Sequence, residues 1–435
     1  MTSRRTFLIA GTGALASSVA ACGGGVRDAT SASAQPQSGG PDPIPTTSQI
    51  PSSPVQAQAA PASASAPVPA PAPAPPTGTG GTLRQLGTQT LAAYLNAVRT
   101  ALPEGLTAAT LRMMPTSGYM AFSGGTIWRD KFSFGASGGH GDSFDDGHYA
   151  LDLATGNWET LLFPSTVGQT GLNIDMYGEW IANRPASQHS NAQLITVGDD
   201  IILGYTTFAG YLANCSRQAH RWNGALGTWE RYGTLSGRGD TAIYFVHYDL
   251  GRNRIWRLPG HVENPYIEWI PAGDPTASWT QEVAYLPAAF EIYCNGIGYH
   301  PLLDCFVAVS QHDYPNRAWV LDAGNLAGGW VEVTVTGVTL PTPMTSGGME
   351  YIPPKGAFAS ANWVENNVFY YLTPSGTKFQ SWAWSKETFT GSTTAGAWMS
   401  DGTPMHKFRW SSLLNGLVCI KDCNVLPEVF TPSAG

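Results

Sequence analysis

Histidine is the side chain whose ordinary pKa best suits it to move protons near neutral pH. Of the 9 histidines in this chain, four stand in polar segments between apolar runs. His140 follows Gly138-Gly139 and precedes Asp142; His261 is followed by Glu263; His312 opens His312-Asp313-Tyr314; and His189 lies in the run RPASQHS. Two arginines occupy comparable places, Arg238 in GRGD and Arg409 in MHKFRW. A histidine or tyrosine that removes the proton beside a uronate carboxylate, with Arg238 or Arg409 neutralising that carboxylate, would meet the needs of β-elimination. His140, His189, His261, His312, Arg238 and Arg409 are therefore the catalytic candidates. Asp142, Tyr205, Asp240, Tyr314 and Trp363 are the candidates for ligand contact, Trp363 because a loop tryptophan offers a flat apolar platform. Each also has an ordinary structural reading: His140 can satisfy a loop carbonyl, His189 can be a hydrogen-bond partner at a strand start, and Arg238-Gly239-Asp240 can be a turn with a salt bridge. No Cys/His spacing typical of a metal site occurs, so no metal is assigned and the cofactor is left open.

The elements that position these residues read as short strands. Residues 131–158 run KFSFGASGGHGDSFDDGHYALDLATGNW, in which Phe132 to Ala136, Tyr149 to Leu153 and Trp158 mark strands separated by glycine-rich turns. One hairpin then recurs: YDLGRNRI from Tyr248, YHPLLDCF from Tyr299, YIPPKGAF from Tyr351 and WSSLLNGL from Trp410. Each has an aromatic, a turn containing Asn, Asp or Gly, and an apolar strand, and the aromatics lie about 50 to 60 residues apart. A second unit, Tyr149 to Trp158, aligns without gaps to His220 to Trp229 and recurs with a longer turn over Ala318 to Trp330. Sheets are expected near residues 118–163, 187–233, 241–284, 292–335, 347–390 and 406–430, with a seventh conceivable in 164–186 or 391–405. Thr88 to Leu102 carries Leu91, Leu95, Val98 and Leu102 at helical spacing before Pro103, which predicts a short N-terminal helix.

The Gly-Gly, Tyr, Trp order of residues 138–158 resembles a kelch repeat, and the chain resembles kelch or galactose-oxidase-like β-propellers. That resemblance implies an all-β fold of six or seven blades, with Trp158, Trp229, Trp279 and Trp330 packing between blades. The last sheet lacks an outer strand, which Leu111 to Met114 could supply. In a propeller the loops joining strands two and three, and strand four to the next strand one, open on one face around a central channel. The four histidines and both arginines would converge there. The expected function is binding of a glycan or protein ligand in that funnel. Some polysaccharide lyases are propellers, which makes the β-elimination chemistry the enzymatic alternative. A copper-radical oxidase like galactose oxidase comes third: adjacent Tyr293 and Cys294 point to opposite faces of a strand and cannot supply its Tyr-Cys crosslink.

The N-terminus reads as an export and anchoring device. Ser3-Arg4-Arg5-Thr6-Phe7-Leu8 resembles a twin-arginine signal, and Val19-Ala20-Ala21-Cys22 resembles a bacterial lipobox. Residues 1–21 are read as signal peptide, and 22–82 as lipidated Cys22 plus a disordered Pro/Ala-rich tether. Residues 83–115 would hold the helix and closing segment, and 116–435 the propeller. About 60 flexible residues would span on the order of 45 Å. This places the protein in the bacterial envelope, in the periplasm or on the outer-membrane surface, anchored to the membrane by lipid. Charged residues make up 12% of the chain and the net charge is -8, so no basic stripe exists to bind nucleic acid. A turn centred on Leu302-Leu303 would set Cys294 opposite Gln311 rather than Cys305, which argues against that bridge. Cys419 and Cys423 are either a disulfide across a tight turn or free buried thiols. Oligomeric state is not legible.

Overall fold

A computed structural model describes residues 80–102, 104, 107, 123–135, 145–164, 179–181, 184–185, 190, 194–204, 218–234, 244–259, 266–283, 295–310, 317–341, 348–361, 367–391 and 406–433. Among the described residues the first elements are β1 (Thr82–Gln85) and the one α-helix, α1 (Leu91–Thr100), and β-strands follow. The first sheet is β2 (Thr126–Trp128), β3 (Lys131–Gly135), β4 (His148–Asp152) and β5 (Trp158–Leu162). A short pair follows, β6 (Glu179–Ile181) with β7 (Arg184–Pro185). The second sheet is β8 (Leu194–Val197), β9 (Asp200–Leu203), β10 (Ala219–Asn223) and β11 (Thr228–Tyr232). The third is β12 (Tyr244–Asp249), β13 (Arg254–Pro259), β14 (Tyr266–Pro271) and β15 (Thr280–Val283). The fourth, β16 (Asn295–His300), β17 (Cys305–Ser310), β18 (Arg317–Asp322) and β19 (Val331–Gly337), joins the fifth edge to edge. That fifth group is β20 (Glu350–Ile352), β21 (Ala357–Ala361), β22 (Val368–Pro374) and β23 (Trp382–Thr388), and the join is a parallel pairing of β19 with β23. The last is β25 (Phe408–Ser411), β26 (Gly416–Cys419) and β27 (Glu428–Thr431), after the two-residue β24 (Thr390–Gly391).

The outer edge of this last sheet is filled by β1, from the N-terminal side of the helix. β1 pairs antiparallel with β27, Thr82 opposite Thr431 through Gln85 opposite Glu428, and its other edge pairs parallel with β24. The closing strand expected from Leu111 to Met114 is thus replaced by Thr82–Gln85; Leu111 to Met114 lie outside the described residues. The physical reason is burial: Leu83 points into a core with Phe389, Leu417 and Phe430, whereas its neighbours are exposed. Four residues with one apolar side chain carried too weak a pattern to read as a strand.

The first strands touch one another in cyclic order: β2 meets β8, β8 meets β12, β12 meets β16, β16 meets β20, β20 meets β25, and β25 returns to β2. Apolar clusters fill the spaces between consecutive sheets. Trp256, Leu258 and Ile267 of the third pack on Phe306, Trp319 and Leu321 of the fourth. Between the last sheet and the first, Val418, Ile420 and Val429 meet Phe134, Tyr149 and Trp158, and Leu91 and Leu95 of α1 are buried in the same cluster. The helix is N-capped by Thr90, whose hydroxyl accepts from the Ala93 amide. The result is an all-β, propeller-like fold. Among the described residues no helix is long and apolar enough to cross a membrane.

The recurring hairpin signature has a backbone cause. The last turn residue before the second strand has left-handed φ in five sheets: Asp130 (57°), Asn253 (52°), Asp304 (51°), Gly356 (54°) and Asn415 (46°). Asn, Asp and Gly tolerate that region best, which is why the sequence places one of them at that position. The register of the fourth sheet follows from this turn, with His300 opposite Cys305 and Asn295 opposite Ser310. Cys305, Cys419 and Cys423 are free and buried, so Cys419 and Cys423 are thiols rather than a disulfide. Cys215, Cys294 and the Gly138-Gly139 pair lie outside the described residues.

Candidate functional site

Among the described residues, the cyclically arranged strands β2, β8, β12, β16, β20 and β25 present two rings of side chains to the space they surround. The residue one before the end of each strand forms a collar: Ile127, Thr196, Tyr248, Tyr299, Tyr351 and Trp410 all line a cavity of about 880 Å³. The residue preceding each of these forms a second ring, in which Thr126, Ile195, His247, Glu350 and Arg409 line the same cavity. The sixth member is Gly298, where a Cβ would lie 2.4 Å from the ring of Phe358. The cavity also reaches Leu250, Gly251, Arg252, Pro301 and Asp304, so it opens on the side of the turns that join first and second strands. That is the opposite end of the first strands from the funnel expected from sequence.

Arg409 is the central tie of the second ring. Its Nε donates to the Gly125 carbonyl at 2.7 Å, its Nη2 to the Leu194 carbonyl at 2.7 Å, and its Nη1 to Glu350 Oε2 at 2.9 Å. One guanidinium thereby links the last sheet to the first, the second and the fifth. The other oxygen of Glu350 accepts from the Trp410 amide at 3.0 Å. His247 Nε2 lies 3.1 Å from the Ile297 carbonyl and connects the third sheet to the fourth. Burial, reinforced by the positive charge of Arg409, pushes the His247 pKa down to about 3. The same two causes, with a further push from His247, hold His406 well below its ordinary value. Both imidazoles are neutral at physiological pH. His406 is 1% exposed, has left-handed φ of 47°, and neither ring nitrogen has a hydrogen-bond partner.

The mouth carries a carboxylate-rich network. Arg252 Nη1 donates to Asp249 Oδ2 at 2.7 Å and to Asp304 Oδ1 at 2.7 Å, and the Tyr299 hydroxyl donates to Asp304 Oδ1 at 3.0 Å. The Tyr248 hydroxyl donates to Asn253 Oδ1 at 3.0 Å. The Arg252 bonds hold the Asp304 carboxyl below the usual range, while burial raises the Tyr299 phenol. Asp249 is almost fully buried; Asp304 is 37% exposed and faces solvent. Among the described residues no group of three His, Cys, Asp or Glu converges as a metal site.

Of the candidates read from sequence, Arg409 is described, and it is occupied as an internal tie. His140, Asp142, His189, Tyr205, Arg238, Asp240, His261, His312, Tyr314, Trp363 and Cys22 lie outside the described residues. His148 is fully buried against Trp222 and Trp229, and His300 packs on Tyr351 and Phe358. Trp158, Trp229 and Trp279 are buried in the clusters between sheets. Sequence reasoning missed the collar. Its signal was present in the aromatic that opens each repeated hairpin, which was read only as a marker of the repeat. No protein-family model matches the chain, and no curated protein matches it.

Proposed function

We propose that this chain is a six-bladed, kelch-like β-propeller, exported by a twin-arginine-like signal and lipidated at Cys22, whose central channel binds a carbohydrate or protein ligand. The observation that carries the reading is the cavity enclosed by the cyclic succession of first strands, with a wall of aromatic rings and a carboxylate-rich edge. Ligand sites combine that kind of apolar surface with a few placed polar groups. A β-elimination role for Arg409 gains nothing from its surroundings, because its Nε, Nη1 and Nη2 all donate to partners within the protein. Two measurements test the proposal. The full chain applied to an array of glycans and envelope proteins should retain a defined ligand, and retention of none refutes the binding reading. Labelled fatty acid should enter the wild type and not Cys22→Ser; its absence from the wild type refutes the anchor.

A further inference from the structure

We infer that the mouth of the channel on the turn side takes an uncharged saccharide and discriminates against uronates. The inference rests on the channel-binding proposal above and names the ligand class for the mouth lined by the collar. Tyr248, Tyr299, Tyr351 and Trp410 come from four consecutive first strands, and each lines the cavity and is partly exposed. The remaining collar positions, Ile127 and Thr196, are smaller. Such partly exposed rings suit the apolar C–H faces of sugar rings, and about 880 Å³ accommodates a short oligosaccharide.

Charge sets the class. Asp249, Asp304 and Glu350 line the cavity with Arg252 and Arg409, three negative groups against two positive, which leaves one net negative charge. Both cations are bound to carboxylates, Arg252 to Asp249 and Asp304, Arg409 to Glu350. A uronate carboxylate entering here would meet an excess of carboxylate and cations already neutralised. Sugar hydroxyls donate to carboxylate oxygens, and the exposed Asp304 offers such an acceptor beside the Tyr299 ring.

The test titrates the full chain with hexasaccharides of neutral hexoses and with the matching oligouronides, following tryptophan fluorescence and heat. At least one neutral hexasaccharide should bind at least tenfold more tightly than its uronide, and Trp410→Ala or Tyr351→Ala should weaken it at least tenfold. Trp410→Phe and Tyr351→Phe should restore most of the affinity, which separates loss of the platform from loss of fold. Equal or tighter uronide binding overturns the inference, as does neutral-sugar binding that survives both alanine substitutions. If saccharide binding is lost in the His140→Ala/His189→Ala double variant and not in the collar variants, the ligand does not sit on the collar: the inference fails and the binding proposal stands. Retention of a protein with no saccharide bound has the same consequence, and no ligand of any kind refutes both.

Discussion

Replacing Arg409 with Met keeps an unbranched apolar stem, shorter than that of arginine, and removes every donor. Three contacts vanish together: the hydrogen bonds to the Gly125 and Leu194 carbonyls and the ion pair with Glu350. The side chains of Arg409 and Glu350 are 10% and 16% exposed, so solvent cannot make good the loss. Removing one partner of such a pair typically costs about 3–5 kcal/mol, mostly from the charge left behind. We expect Arg409→Met to destabilise by about 3 kcal/mol or more, measured by guanidinium unfolding at pH 7.5. Glu350→Gln should cost less, about 1–2 kcal/mol, because Arg409 keeps two carbonyl acceptors. The double variant should be more stable than the sum of the singles requires, since it leaves no uncompensated charge whereas each single does. A cost below about 1 kcal/mol for Arg409→Met, or strict additivity in the cycle, refutes the tie. The competing role, a cation reserved for a substrate carboxylate, makes the opposite forecast: activity or binding lost with stability nearly intact.

Three further outcomes are expected. Burial holds His148 and His247 at a pKa of about 3 and His406 well below 6.5, so the unfolded chain takes up protons below about pH 6.5 that the folded protein refuses. Their contribution is complete above that pH and falls as pH drops towards 3, by up to about 1.4 kcal/mol per pH unit for each histidine; an unfolding free energy flat between pH 6.5 and 4 contradicts it. Leu83→Ala should destabilise by about 2–4 kcal/mol, because β1 completes the last sheet and Leu83 fills its core; a cost like that of an exposed site, under about 0.5 kcal/mol, removes the closure role. Asn415 at φ 46° should accept Gly at little cost, whereas Asn415→Val should cost about 1–2 kcal/mol; equal effects in thermal melts would show that the turn does not enforce the left-handed residue.

The sheets were legible because their hairpins repeat for local reasons. Asn253, Asp304, Gly356 and Asn415 stand where the chain must take a positive φ, and Tyr248, Tyr299, Tyr351 and Trp410 stand at one place in the first strands, so spacing alone revealed them. The helix was legible from Leu91 and Leu95, both fully buried. β1 was not, because its pairing depends on β27, more than 300 residues later, and only Leu83 of its four residues is buried. No local pattern encodes a contact of that range. The cavity was hidden for a related reason, since its wall is assembled from six strands spread from Thr126 to Ser411.

Comparison of the two rings shows where a specific site can arise on a repeated fold. The collar remains repetitive: four of its six members are aromatic. In the ring beneath, equivalent strand positions carry Thr126, Ile195, His247, Gly298, Glu350 and Arg409, six different residue types. Packing between sheets selects the same kind of residue at each repeat and so cannot produce that diversity. Cross-channel partners can, because Arg409 needs a carboxylate on one neighbouring strand and bare carbonyls on two others, and each neighbour must then differ. The uneven ring fixes one rotational arrangement of six otherwise similar sheets, and the collar above it inherits a single orientation: aromatic on four strands, and open at Ile127 and Thr196. The proposed saccharide would therefore meet a one-sided wall rather than a symmetric pore, an arrangement that would let the site distinguish the face of a sugar ring from its edge.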